Sequence, residues 1–223
     1  MTPRHEDSPQ REDVLIVCAL AAELPGFVPP PGCELLATGV GLVEASAGTA
    51  AALARKRYRA VINAGLAGAF QQRFHIGDAV LVAEERLAGL GLEDGSRIVL
   101  PGGAQLTDRA FADDDLLAQL EGARLPTAFG LTVCSVTATA TTAERLVQRY
   151  GCDVESMEGF GVLRTCERAR VPAVELRGVS NYVGPRAESG WDFAAGARAC
   201  VSALQTVLSI LAVTTPTALS QRQ

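Results

Sequence analysis

A chain of 223 residues, 48% hydrophobic and 20% charged, is long and apolar enough to bury one large core. Its net charge of −5 argues against a nucleic-acid backbone as ligand, because phosphate neutralisation needs clustered Lys and Arg. Six scattered cysteines with no C-x-x-C pair argue against a disulfide framework or a zinc site and point to a reducing compartment.

Residues 1–12 are polar, carry Pro3 and Pro9, and read as a disordered leader. Val14 to Leu20 is a continuous apolar run rich in β-branched residues, which predicts a central strand covered on both faces. It is not a signal-peptide core, since Glu6, Asp7, Glu12 and Asp13 replace the required positive flank. The run stops at Ala21-Ala22-Glu23-Leu24-Pro25-Gly26, which leaves Glu23 at a strand carboxyl end, where open α/β folds bind ligands. Leu35 to Thr38 predicts a short strand leading into Gly39-Val40-Gly41 and a helix to Tyr58. Such a strand–turn–helix can bring backbone N–H groups to a ligand, or the glycines can simply make a tight turn. Gly48 is displaced from the third position of a dinucleotide fingerprint.

Ala60 to Asn63 predicts another buried strand, ending in a second glycine-rich turn, Ala64 to Ala69. Strands are expected at Asp78–Val82 and Arg97–Leu100, with a loop at Gly89–Gly95 between them. Asp113 to Leu120 reads as a helix capped by its aspartates. Gly130 to Val136 predicts a strand, and the hydroxyl-rich run Thr137–Thr142 after it caps a helix from Ala143 to Tyr150. Val154-Glu155-Ser156-Met157-Glu158-Gly159 is expected to open a helix reaching about Arg170, with two carboxylates and a thioether where a strand hands over to it. Taken alone, those carboxylates only suit the helix dipole. Ala173 to Val179 is a Val-rich strand interrupted by Glu175 and Arg177, and it ends at Ser180-Asn181. Tyr182 to Asp192 holds Arg186 and the single tryptophan, Trp191. A last helix carries Phe193, Ala197, Cys200, Val201, Leu204, Leu208 and Leu211 on one core-facing stripe. The expected architecture is therefore α/β: one domain over 13–212, a central mixed β-sheet flanked by helices, and a polar tail at 213–223.

Phosphate-loop, H-E-x-x-H and Rossmann signatures are missing, and His5 and His75 have no G-x-S-x-G beside them. Polar groups at three strand ends remain: Glu23, Met157-Glu158 and Asn181. A carboxylate-and-amide pocket between glycine turns suits a neutral, hydroxyl-rich ligand with a heteroaromatic part.

Five motifs carry a family resemblance: Ala19-Leu20-Ala21-Ala22-Glu23, Gly39-Val40-Gly41, Asn63-Ala64-Gly65-Leu66-Ala67-Gly68, Glu155-Ser156-Met157-Glu158-Gly159 and Arg177-Gly178-Val179-Ser180-Asn181. In this order they resemble the nucleoside phosphorylases and nucleosidases of the purine-nucleoside-phosphorylase type. Val136-Thr137-Ala138-Thr139, Gly89–Gly95 and Asn181–Arg186 with Ser189–Asp192 are most similar to the futalosine hydrolase subgroup.

The resemblance implies an N-glycosyl hydrolase without cofactor or metal, acting on futalosine in menaquinone biosynthesis. It also implies a cytoplasmic homodimer or higher homo-oligomer with a small nucleoside substrate and neither nucleic-acid nor membrane partner. Glu23 matches the glutamate that activates water, which fits a bond that breaks through an oxocarbenium-like sugar. Phosphorylases tend to carry an arginine-bearing segment there; here no arginine lies between Glu12 and Arg55. Glu158 matches the glutamate that accepts from both ribose hydroxyls, and Met157 the thioether against the sugar. Asn181 stands where adenine-specific nucleosidases carry Asp. Its amide can donate to a 6-oxopurine carbonyl and accept from a protonated N7. Gly65, Thr137 and Trp191 complete the expected substrate contacts; Trp191 and Arg186 either meet the aromatic carboxylate arm, by stacking and ion pairing, or take a core and a surface position respectively. Leu66 stands where methylthioadenosine nucleosidases usually show Ser. The alternatives are a methylthioadenosine/S-adenosylhomocysteine nucleosidase, disfavoured by Asn181; an inosine-type phosphorylase, disfavoured by Glu23; and a nucleoside-binding sensor without turnover.

Overall fold

A computed structural model describes residues 13–70, 73–92, 94, 96 and 98–213. The leader 1–12 and the tail beyond 213 lie outside the described residues. Eight strands form one mixed sheet. β1 (Val14–Cys18) pairs in parallel with the outer strand β2 (Cys33–Ala37) and with β3 (Ala60–Ala69). β3 also runs parallel to β8 (Ala173–Tyr182), which lies antiparallel to β4 (Ala79–Leu87). β4 carries the edge strand β5 (Arg109–Phe111) and pairs in parallel with β6 (Thr127–Thr132). β7 (Val154–Ser156) then bridges β6 back to β3. Strands β3, β8, β4, β6 and β7 therefore close into a ring, which sets Glu155 of β7 opposite Gly68 near the end of β3.

Helices cover both faces. On one, α5 (Phe193–Val213) inserts Cys200, Leu204, Val207 and Leu211 against Ile16, Ile62, Val174 and Leu176, and α2 (Asp114–Gln119) adds Leu116. By length and apolarity α5 could cross a membrane, but this stripe is spent on the core. On the other face, α1 (Leu42–Arg55) and α4 (Gly159–Ala169) pack over Leu15, Val17 and Val61 through Ala45, Ala52, Phe160 and Leu163. Gly161 makes their close approach possible, since a Cβ there would sit 2.6 Å from Ser46 Oγ. Two polar caps hold as their sequence suggests: Asp113 accepts from Leu116 N–H at 2.9 Å. Thr139 accepts from Thr142 N–H at 3.2 Å and starts α3 (Ala140–Tyr150).

Three expectations are corrected. Ala64–Ala69 is a continuation of β3, not a turn. Glycine clusters usually signal turns, but Gly65 and Gly68 here stay extended and leave space for side chains crossing from β8. Val154–Ser156 is strand β7, and the helix begins only at Gly159. Pairing with both β3 and β6 overrides the helix-start signal of the two glutamates. Of the strand expected at Arg97–Leu100, Arg97 lies outside the described residues and 98–100 has no strand; Val99 is 89% exposed and without a sheet neighbour. The edge position belongs to β5 instead.

Candidate active site

The upper ends of β1, β3 and β8 meet the β7–α4 junction around one cavity. It is lined by Ala19 and Glu23 after β1, Leu66 to Gly68 of β3, Val40, Val136, Glu155 to Glu158, Ser180, Asn181, Trp191 and Phe193. The sequence-derived candidates Glu23, Met157, Glu158, Asn181 and Trp191 are thus brought together. Gly65 and Thr137 lie behind the wall.

Glu158 is 6% exposed, and its carboxylate is held by backbone. Gly39 and Gly41 adopt φ of 101° and 100°, where side chains are strained. Their turn aims Gly41 N–H at Glu158 Oε1, 2.8 Å away. The Gly-x-Gly therefore orients a carboxylate. Met157 N–H donates to Oε2 at 3.3 Å. Each oxygen keeps an acceptor site, so the pair can take two adjacent hydroxyls.

Arg177, 1% exposed, is the cation at the centre. Its Nε donates to Glu175 Oε1 at 2.7 Å, and its Nη1 lies 3.4 Å from Leu66 O and 3.9 Å from Glu158 Oε2. Gly65 makes room for it. A Cβ at that position would stand 2.6 Å from Arg177 Nη1 and 3.1 Å from Glu23 Oε2. Burial opposes the Arg177 charge, but the carboxylates of Glu175 and Glu158 outweigh it and hold the guanidinium protonated.

Glu23 ends the 3-10 turn Ala21–Glu23 that follows β1. Burial raises its carboxyl above the ordinary range, Arg177 pulls it back, and the negative charge of Glu158 raises it again. The net shift is upward, which makes Glu23 a stronger base than an ordinary carboxylate.

Asn181 lies within β8 and is 5% exposed. Ser180 Oγ donates to its Oδ1 at 2.8 Å, and its Nδ2 donates to Tyr182 O at 3.0 Å. One lone pair and one N–H stay free to meet a ligand. Gly68 clears the approach, since a Cβ there would lie 2.8 Å from Asn181 Nδ2. Trp191 stacks at 41° on Phe193, with 5.0 Å between centroids, and the Arg186 guanidinium lies 5.0 Å from the Trp191 ring.

Glu155, whose role the sequence left open, has a structural partner. Thr137 donates to it through its N–H, at 3.0 Å, and through its hydroxyl. Thr137 is therefore engaged in fixing the segment after β6, and it presents Val136 to the cavity. Arg177, Ser180, Gly68 and Phe193 escaped sequence reasoning as site residues. The alternation of Glu175 and Arg177 in a buried strand with no other charge was the available signal, since two opposite charges on one buried face must pair. Among the described residues, no group of three His, Cys, Asp or Glu could hold a metal ion.

Residues 33–212 match the Phosphorylase superfamily. Among curated relatives, the futalosine hydrolase of Streptomyces coelicolor is 35% identical over 197 residues, 82% of this chain and 81% of its own. That of Thermus thermophilus is 37% identical over 166 residues, 72% and 74% respectively. Among solved structures, the futalosine hydrolase of Helicobacter pylori superposes with a TM-score of 0.75 at 16% identity, covering 89% of this chain and 98% of that one.

Proposed function

The chain belongs to the phosphorylase superfamily, in its futalosine hydrolase family, and from that premise we propose that it hydrolyses the N-glycosidic bond of futalosine to hypoxanthine and dehypoxanthine futalosine, a step towards menaquinone. The observation that carries this most is the pairing of two differently held carboxylates, Glu23 and Glu158, across Arg177, with an amide, Asn181, at the far end of the same cavity.

Glu158 takes the ribose diol on its two remaining acceptor sites, and Met157 lies against the sugar. Glu23, turned into a stronger base by burial, orients a water towards C1′ and removes its proton as the bond to the base lengthens. The oxocarbenium-like sugar that develops is stabilised by the carboxylates beside it. Asn181 gives its free N–H to the 6-oxo group and its lone pair to a protonated N7. An amide is a poor acid, so Asn181 stabilises the leaving base by hydrogen bonds while N7 takes its proton from solvent. Trp191, with Arg186 above it, is the proposed platform for the aromatic carboxylate arm.

Water wins over phosphate on electrostatic grounds. Arg177, the one buried cation among the described residues, is already matched by Glu175, Glu158 and Glu23, so an incoming phosphate meets net negative charge. Val40 of the cavity wall and Val43 in the first turn of α1, 50% and 74% exposed, are the apolar surface proposed for subunit pairing.

A substrate panel of futalosine, aminofutalosine, methylthioadenosine and inosine, with and without phosphate, tests the proposal. Futalosine is expected to be turned over fastest and at a rate independent of phosphate. Preference for methylthioadenosine, or turnover only with phosphate, would overturn it.

A further inference from the structure

Beneath the cavity, Glu85 of β4 and Glu175 of β8 are both 0% exposed. The reaction outlined above uses neither. They sit together because glycines make way for them. A Cβ on Gly159 would lie 2.3 Å from Glu85 Oε1 and 2.5 Å from Glu175 Oε1, and one on Gly130 would lie 2.2 Å from Glu85 Oε1. Glu85 Oε2 accepts from Thr132 Oγ1 at 2.7 Å, and Thr132 Oγ1 in turn accepts from Phe160 N–H at 2.8 Å. Glu85 Oε1 and Glu175 Oε2 are buried without a hydrogen-bond partner. Two ionised carboxylates facing each other in a dry core would cost several kcal/mol. A single proton between them removes the repulsion and gives Glu85 Oε1 its missing partner.

We propose that Glu85 and Glu175 form a singly protonated carboxyl pair that acts as a positioning device, its one negative charge holding Arg177 between Glu158 and Glu23. The inference rests on the proposed hydrolysis for its purpose, but not for its first test. The linkage is short. Glu175 grips Arg177 Nε, while Arg177 Nη1 reaches Leu66 O and Glu158 Oε2. Thr132 ties Glu85 to the first turn of α4, whose N-cap is Glu158. The ribose clamp and the carboxyl pair are thus two ends of one helix start.

The groups that face this cluster are few. Glu85 meets Glu175 and Arg177 from β8 and Thr132 from β6. Burial, and then the charge of Glu175, hold Glu85 well above the ordinary carboxylate range. The nearby thiols of Cys18, Cys152 and Cys200 are pushed by burial up to about 11, about 12 and about 12, and stay protonated throughout the neutral range.

With the pair carrying one charge, Arg177 is neutralised from below and its pull on Glu23 is tempered. Replacing Glu175 by Gln leaves an acceptor for Arg177 but removes that charge. The guanidinium then acts more strongly on Glu23 and Glu158. The acid limb of kcat/KM is expected to move down by about one pH unit, as an uncompensated cation at this range does to a carboxyl. KM for futalosine is expected to rise by at least about tenfold, as Arg177 competes with the ribose for Glu158.

The direct test is infrared spectroscopy of the full-length protein at pH 8, where exposed carboxyls are ionised. A carbonyl band of an un-ionised carboxylic acid is expected in the wild type and should vanish in E85Q. A wild type without that band overturns the proposal even if futalosine is hydrolysed, and needs no variant to fold. A protein with the band but no activity on futalosine would instead sink the proposed function. For E175Q, an unmoved acid limb together with an unchanged KM would reduce Glu175 to a structural role and overturn the positioning claim.

Discussion

Glu23 and Glu158 are the same residue type in different surroundings, and the different roles proposed for them rest on that. Both accept from backbone N–H groups and both lie near Arg177; Glu158 is set in the Gly41 turn at the start of α4, and burial raises the Glu23 carboxyl after β1. Glu23→Gln is expected to lower kcat by about 10² to 10⁴, the usual contribution of a positioned base, while calorimetry still detects ligand binding. Retained turnover would move the base elsewhere; lost binding would argue for a sensor-like role. Because the Glu23 carboxyl is raised and must be ionised to accept a proton, kcat/KM should fall as pH drops through a value above the ordinary glutamate range. A pH–rate profile with its acid limb in the ordinary range would contradict that. Asn181→Asp exchanges a donor for an acceptor, so relative kcat/KM should swing from the 6-oxopurine nucleoside towards its 6-amino counterpart by about tenfold or more. At this scale the sequence was informative where a motif carried it: Glu23, Met157, Glu158 and Asn181 were all legible. Arg177 was not. Its importance comes from Gly65 opposite it and Glu175 beside it, contacts from strands far apart in the chain.

At the scale of elements, β3 and the β7–α4 junction decide the site. β3 continues past the point where its glycines suggested a turn, because Gly65 and Gly68 give up side chains so that Glu23, Arg177 and Asn181 can cross above them. Gly68→Ala is expected to push the Asn181 amide aside and cost at least about tenfold in kcat/KM while the protein still folds, since overpacking of this size costs roughly 1–3 kcal/mol. Unchanged kcat/KM with unchanged thermal stability would show that the space is not needed. Central strands with continuous apolar runs, such as β1 and the start of β3, were readable from their neighbours in sequence. β7 was not, because three residues gain strand structure only from pairing with both β3 and β6. The edge strand β5 was likewise invisible, being three residues long with a single buried side chain.

The fold is built on a closed ring of five strands that bears buried charge on β4 and β8, and its stability should record that. Glu85 is held above its ordinary value in the folded state, so its contribution to stability is fully present at low pH, below the unfolded value, and is lost as pH rises through the folded value. Between those limits the folded state binds one more proton than the unfolded chain, and unfolding free energy should fall by about 1.4 kcal/mol per pH unit from this group. Urea unfolding across that window is expected to show the slope in the wild type and a flatter profile in E85Q; identical profiles would place the proton elsewhere. Such an arrangement follows from ring closure, which no local pattern in the chain announces. The measurement closest to the central claim is hypoxanthine release from futalosine in phosphate-free buffer, by the wild type and by Glu23→Gln. Sustained release by the wild type, unchanged on adding phosphate and lost in the variant, is the predicted result. No release, or release that starts only with phosphate, would contradict it.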